Sequence, residues 1–213
     1  MHSARWVVLL ACWVGAIACG LGWLMNYQST AGASGPAVIH WPVRALSRPE
    51  GGHPCLVMAI HPKCPCSRAS LAEVEEVLAG VGSPLDVRLL ACTPTSSNGD
   101  AWDTSDLNDW AARVSGSFPF VNASVVSDLG GHIAAAFGMK TSGHVALYGP
   151  SGQQLFTGGV TASRGQVGPN SAAAALTLAL RNTGAASTLQ TQRPVFGCAL
   201  VAEMSCPLCG AQR

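Results

Sequence analysis

Residues 55–68 read Cys55-Leu56-Val57-Met58-Ala59-Ile60-His61-Pro62-Lys63-Cys64-Pro65-Cys66-Ser67-Arg68, and the fold turns on how this run is parsed. The apolar stretch Cys55 to Ile60 is short and continuous, which matches a strand covered on both faces. A proline between two cysteines follows, and Ser70-Leu71-Ala72-Glu73 has the serine-to-glutamate spacing of a capping box that opens a helix. Leu71, Val74, Val77 and Leu78 then recur at helical spacing, with Glu73, Glu75 and Glu76 expected on the solvated side.

Outward from this unit, Leu85 to Cys92 alternates Leu85, Val87 and Leu89 against Asp86 and Arg88 and reads as the next strand. A polar loop leads to a short helix capped near Ser105, with Leu107, Trp110, Ala111 and Val114 inward. Phe118 to Val126 is strand-like, and Asp128-Leu129-Gly130-Gly131 turns the chain into a small helix ending at Phe137-Gly138. His144 to Tyr148 and Gln154 to Thr157 form a hairpin across Gly149-Pro150-Ser151-Gly152. An Ala-rich helix from Ser171 to Leu180, capped by Asn170, closes the series. The order β, α, β, α, β, α, β, β, α belongs to the α/β class: a central mixed sheet with helices on both faces.

The amino-terminal part is of another kind. Trp6 to Met25 is uncharged over twenty residues, enough at about 1.5 Å per residue to span a hydrocarbon core of about 30 Å. Trp6 stands at one end and Trp23 and Tyr27 at the other, where interfacial aromatic rings belong. Arg5 is the only charged side chain before Arg44, so the amino end is expected in the cytoplasm and the remainder across the membrane. Ala31-Gly32-Ala33 has the small-x-small form of a cleavage site, which keeps a removed signal peptide open as the rival reading. The expected division is residues 1–27 as membrane anchor or signal sequence, 28–37 as an uncharged flexible tether, 38–185 as the folded domain and 186–213 as a cysteine-containing tail.

Composition narrows the function classes. The chain has 213 residues, 48% hydrophobic and 11% charged, with net charge +1, which speaks against a basic nucleic-acid surface. Of nine cysteines, Cys12 and Cys19 lie in the apolar run. The others are Cys55, Cys64, Cys66, Cys92, Cys198, Cys206 and Cys209, an odd number that a purely structural disulfide framework would not choose.

A strand, a cysteine pair with proline at a helix opening, a later D-x-x-G, then F-G, then the hairpin T-S-G-H-V-A-L-Y-G-P-S-G-Q-Q-L-F-T-G-G together resemble the thioredoxin fold of membrane-anchored thiol-disulfide oxidoreductases and their peroxiredoxin relatives, over roughly residues 50–181. The strings H-P-K-C-P-C-S-R-A-S and G-G-V-T-A-S-R-G are similar to a bacterial branch labelled RedB-like. Two departures stand out: C-x-C replaces C-x-x-C, and Thr141-Ser142 replaces the threonine and cis-proline pair that in relatives holds a partner's backbone beside the active sulfur. The resemblance implies substrate docking at Thr141, Ser142 and His61.

A thiol where a helix begins meets unpaired N–H groups and the positive end of the dipole, so thiolate forms more readily. Lys63 and Arg68 are expected to push the same way. The catalytic reading takes Cys64 as the exposed attacking nucleophile and Cys66 as the resolving thiol, with Pro65 and Ser67 completing the motif. A ring closed over one intervening residue is strained, which favours the dithiol and makes the pair oxidising. A second alignment reads Cys64-Pro65-Cys66-Ser67 as C-P-x-S, with Ser67 in the resolving position and the second thiol coming from Cys92 or from the tail. No cofactor is expected in either case.

Copper is the alternative cofactor. Cys64 and Cys66 with His61, joined by His132 or His144, are soft donors suited to Cu(I). A redox-silent binding module on the same fold is a third reading. In the tail, Cys198, Cys206 and Cys209 are open to a structural disulfide, an electron relay serving Cys64, or part of a metal site. The expected setting is a single-pass protein of a bacterial inner membrane with its domain on the periplasmic side, and the expected partners are protein thiols or disulfides.

Overall fold

In the computed structural model the described residues are 2–95, 102, 104–183 and 191–200. Cys206 and Cys209 lie outside them. The chain forms two compact units, Met1–Thr30 and Ala31–Arg213. The first is one helix, α1 (His2–Ser29), of which Ala4–Ser29, with mean hydropathy 2.2, is long and apolar enough to cross a membrane.

The second unit runs β1 (Cys55–Ile60), α2 (Pro65–Leu78), β2 (Leu85–Thr93), α3 (Ser105–Ser117), β3 (Val121–Leu129), α4 (His132–Ala136), β4 (His144–Tyr148), β5 (Gln154–Gly158), α5 (Ser171–Arg181) and β6 (Thr191–Gln192). The sheet is ordered β3-β2-β1-β4-β5-β6. β1 lies inside it, parallel to β2 and antiparallel to β4, so every one of its side chains is covered. Its alternation divides the core. Leu56, Met58 and Ile60 pack with Val74 and Leu78 of α2, Trp110 of α3 and Leu176 of α5. Cys55, Val57 and Ala59 face the opposite layer with Ala134 of α4, Trp41, Phe137 and Tyr148. The last three rings meet edge to face at 5.0 to 5.7 Å, a geometry aromatic quadrupoles favour. The mixed sheet with helices on both faces is the architecture the element order implied.

Local boundaries differ where local rules competed. Helix α2 opens at Pro65, with Cys64 as its N-cap, and not at Ser70. Proline's fixed φ and missing N–H suit the first helical position, so Ser70 falls inside the helix and its Oγ turns back to the Cys66 carbonyl at 3.4 Å. Glu73, expected in solvent, is buried, where its carboxylate accepts bonds from Gly168 N (2.5 Å) and Asn170 Nδ2 (3.0 Å). β3 begins at Val121 because Phe118 still bonds back to Val114 and ends α3. Asn170 caps α5 as expected, accepting from Ala172 N and Ala173 N. In the stretch expected as a tether, residues 28 and 29 belong to α1, and Gly32 and Gly35 donate to Val195 O and Gly138 O.

Candidate functional site

The site forms where β1 ends and α2 begins. Cys64 has an extended backbone (φ −87°, ψ 115°) as N-cap, then Pro65 starts the helix. Cys64 is 2% exposed and Cys66 half-buried, the reverse of the expectation that Cys64 is the more exposed thiol. The reason is a third cysteine: Cys198 Sγ lies 3.0 Å from Cys64 Sγ. The sulfurs of Cys64, Cys66 and Cys198 all fall within 4.8 Å of one another.

This crowding sets the proton affinities. Bonds from Cys198 and then Cys66 hold the Cys64 thiol well below the ordinary value of 9.0, against the opposing effect of burial. The bond to Cys198 pulls Cys66 down, but the bond to Cys64 and burial outweigh it, so its pKa is raised. Lys63 and Arg68 do not take the part expected of them: Lys63 Nζ sits 4.6 Å from the Trp102 ring centroid, and Arg68 faces Asp106 at 3.5 Å in solvent. The cation felt at Cys66 is Arg164.

Behind the thiols lies a hydroxyl network. Ser142 Oγ accepts from His61 N at 2.8 Å and shares a 2.7 Å bond with Ser67 Oγ. Ser67 therefore ties α2 to the loop before β4. His61, edge-on to Trp102 at 4.9 Å, is buried, and burial pushes its pKa down. Thr141 and Ser142, expected as a docking surface, are each 1% exposed. The segment carrying Cys198 lies over them, with Ala33 O accepting from Thr141 Oγ1 at 2.7 Å: Ser142 N donates to Cys198 O at 2.7 Å, Leu200 N donates to Lys140 O at 2.9 Å, and Thr141 bridges Ala199 in antiparallel fashion. A cleft of about 410 Å³ reaches Cys64 from the other direction, lined in part by Pro62, Ser67, Leu71, Leu107 and Trp110.

The remaining candidates lie outside the three-sulfur cluster. Cys92 is buried in β2 and donates to Asp128 Oδ2 at 3.4 Å, its pKa raised by burial, and it is not among the sulfurs gathered at Cys64. His144 is buried, bonds Thr157 Oγ1 through Nε2 at 2.9 Å, and is pushed down by burial to about 4. His132 is exposed at the start of α4. Among the described residues the close-packed donor set is three cysteines, without His61. Sequence reasoning missed Gly197 as a site residue. The signal was a glycine directly before a cysteine: a Cβ there would run into the Ser142 carbonyl oxygen.

No family model matches the chain, and no curated protein does. Among solved structures, it is similar to an uncharacterized conserved protein from Geobacillus kaustophilus (13% identity, TM-score 0.49, covering 83% of this chain and 94% of that one). It is similar to a hypothetical protein from Sinorhizobium meliloti (16%, 0.48, 80% and 93%). It is also similar to a secreted disulfide oxidoreductase of Mycobacterium tuberculosis (14%, 0.36, 61% and 81%). The RedB-like label stays a resemblance of motifs. With its central β1 parallel to β2, antiparallel to the β4–β5 hairpin and followed by a cysteine pair at the mouth of α2, the chain has the thioredoxin-like fold.

Proposed function

We propose that the chain is a thiol-disulfide oxidoreductase, anchored by α1 in a bacterial inner membrane with its domain on the periplasmic side, that exchanges disulfides with protein partners through Cys64-Pro65-Cys66-Ser67. One observation carries this reading. The Cys64 sulfur stands at the N-terminus of α2, bonded by Cys198 and Cys66, and its pKa is lowered. Thiolate is the attacking species, and a stabilised thiolate is also a good leaving group, which makes the corresponding disulfide oxidising. The cleft above α2 gives a partner's disulfide its approach. The reduced protein should cleave insulin disulfides, or the oxidised protein should oxidise a dithiol peptide. Cys64→Ala should abolish either activity, and an inert intact protein would sink the reading.

The three-thiol cluster also favours a second reading, Cu(I) handling. Three sulfurs within 4.8 Å suit a soft monovalent ion, and they replace the set of Cys64, Cys66 and His61. The fit is good in donor chemistry. Stoichiometric Cu(I) uptake that vanishes in Cys66→Ala is the expected result, measured by competition with a chromogenic chelator; uptake unaffected by that change excludes it.

A further inference from the structure

Cys198 is held in place from both directions along the chain. On its amino side, Arg193 N donates to Thr157 O at 2.9 Å, Gly159 N to Pro194 O at 3.2 Å, and Val195 is 1% exposed. Arg164 Nη1 donates to the Gly197 carbonyl. On its carboxyl side, Leu200 is 3% exposed within the same apolar layer as Trp41 and Cys55. Between these anchors, residues 198–200 pair with Lys140–Ser142 as an added strand, the mode by which an extended segment joins an exposed backbone edge. The absence of a side chain at Gly197 permits the approach.

Cys66 is placed less well to resolve a bond at Cys64. A Cys64–Cys66 disulfide would close a strained ring over one intervening residue, and the raised pKa of Cys66 leaves less thiolate to attack. Cys198 meets Cys64 from outside the helix, about 1 Å beyond bonding distance.

We propose that Cys198 is the resolving thiol for Cys64, delivered by the strand-like segment 197–200, so that the oxidised domain carries a Cys64–Cys198 disulfide with Cys66 as a thiol. The inference rests on the exchange reading above. In the first step the Cys64 thiolate attacks a partner's disulfide, forming a mixed disulfide and releasing one partner thiolate. In the second, the Cys198 thiolate attacks the Cys64 sulfur, the Cys64–partner bond breaks, and the partner leaves with its second thiolate. The partner gains two electrons and two protons, and the domain loses the same. A dithiol reductant returns the domain to its starting state.

The test uses the full chain with Cys206→Ala and Cys209→Ala, so that these cysteines offer no competing bridge. Ellman's reagent, an aromatic disulfide, serves as the partner, and peptide mapping after acid trapping reads the product. A Cys64–Cys198 bridge is expected; a Cys64–Cys66 or Cys66–Cys198 bridge as the main product overturns the inference. In stopped flow, Cys198→Ser should still release the first thionitrobenzoate, more slowly because Cys64 loses the bond that lowers its pKa, while the second release slows at least about tenfold relative to the first, the loss expected when a positioned intramolecular nucleophile is removed. Cys66→Ser should still form the Cys64–Cys198 bridge and release the second thionitrobenzoate, and the reverse pattern overturns the inference. Failure of Cys64 to react at all overturns the exchange reading and the inference with it, whereas normal uptake followed by resolution through Cys66 overturns the inference alone.

Discussion

Cys55 and Cys64 lie nine positions apart in one chain and belong to different chemistries. Cys55 stands inside the sheet, fully covered, with burial and the neighbouring Asp86 pushing its thiol up to about 12. Cys64 is almost as buried, yet its pKa moves the other way. Burial alone therefore does not decide reactivity here. The difference is what the sulfur meets: strand backbone and apolar side chains for Cys55, but two sulfhydryl neighbours at a helix N-terminus for Cys64.

The largest effect that would break this contrast is spectroscopic. Thiolate absorbance near 240 nm in the reduced protein should persist below the ordinary thiol range, and that low-pH titration step should disappear in Cys64→Ser while remaining in Cys55→Ser. A step retained in Cys64→Ser would erase the distinction. Next in size is the seal over Cys55. Trp41 packs edge to face on Phe137 and Tyr148 and donates Nε1–H to Leu46 O at 2.7 Å. Trp41→Ala should cost about 3–5 kcal/mol in urea unfolding, and Cys55 should become open to alkylating reagents in native buffer. The smallest effect concerns pH. His144 falls from 6.5 unfolded to about 4 folded, and His61 is lowered too. The unfolded chain binds these protons first, so stability is fully present above about pH 6.5 and drains as pH falls toward about 4. His144→Gln should remove about 3 kcal/mol of that acid-induced loss, leaving the part due to His61. An unchanged slope would show that His144 is solvated.

Much of the sheet was legible because its signals are local. The apolar run of β1, the alternation of β2 and the glycine turn of the β4–β5 hairpin each follow from neighbours in sequence. The opening of α2 was misread because two start signals lay six residues apart, and Pro65 prevailed over the serine-glutamate pair. Glu73 was misplaced because its partners, Gly168 and Asn170, come from a loop almost a hundred residues away. The cysteine motif was plain, and the tail was suspected of serving it, but the pairing of residues 198–200 with Lys140–Ser142 depends on backbone groups, which no side-chain pattern announces. The same segment lies over Thr141 and Ser142, whose docking role was inferred from relatives.

The contact between Cys64 and Cys198 spans 134 positions, and that number has a meaning in time. At synthesis rates of about 5–20 residues per second, the second sulfur follows the first by on the order of ten seconds, whereas Cys66 is made at once. The helix mouth therefore exists as a two-cysteine chain before it exists as a three-cysteine site. Contacts of such long sequence separation carry a larger loop-closure cost, and the centre is complete only once the strand-like segment has reached its place.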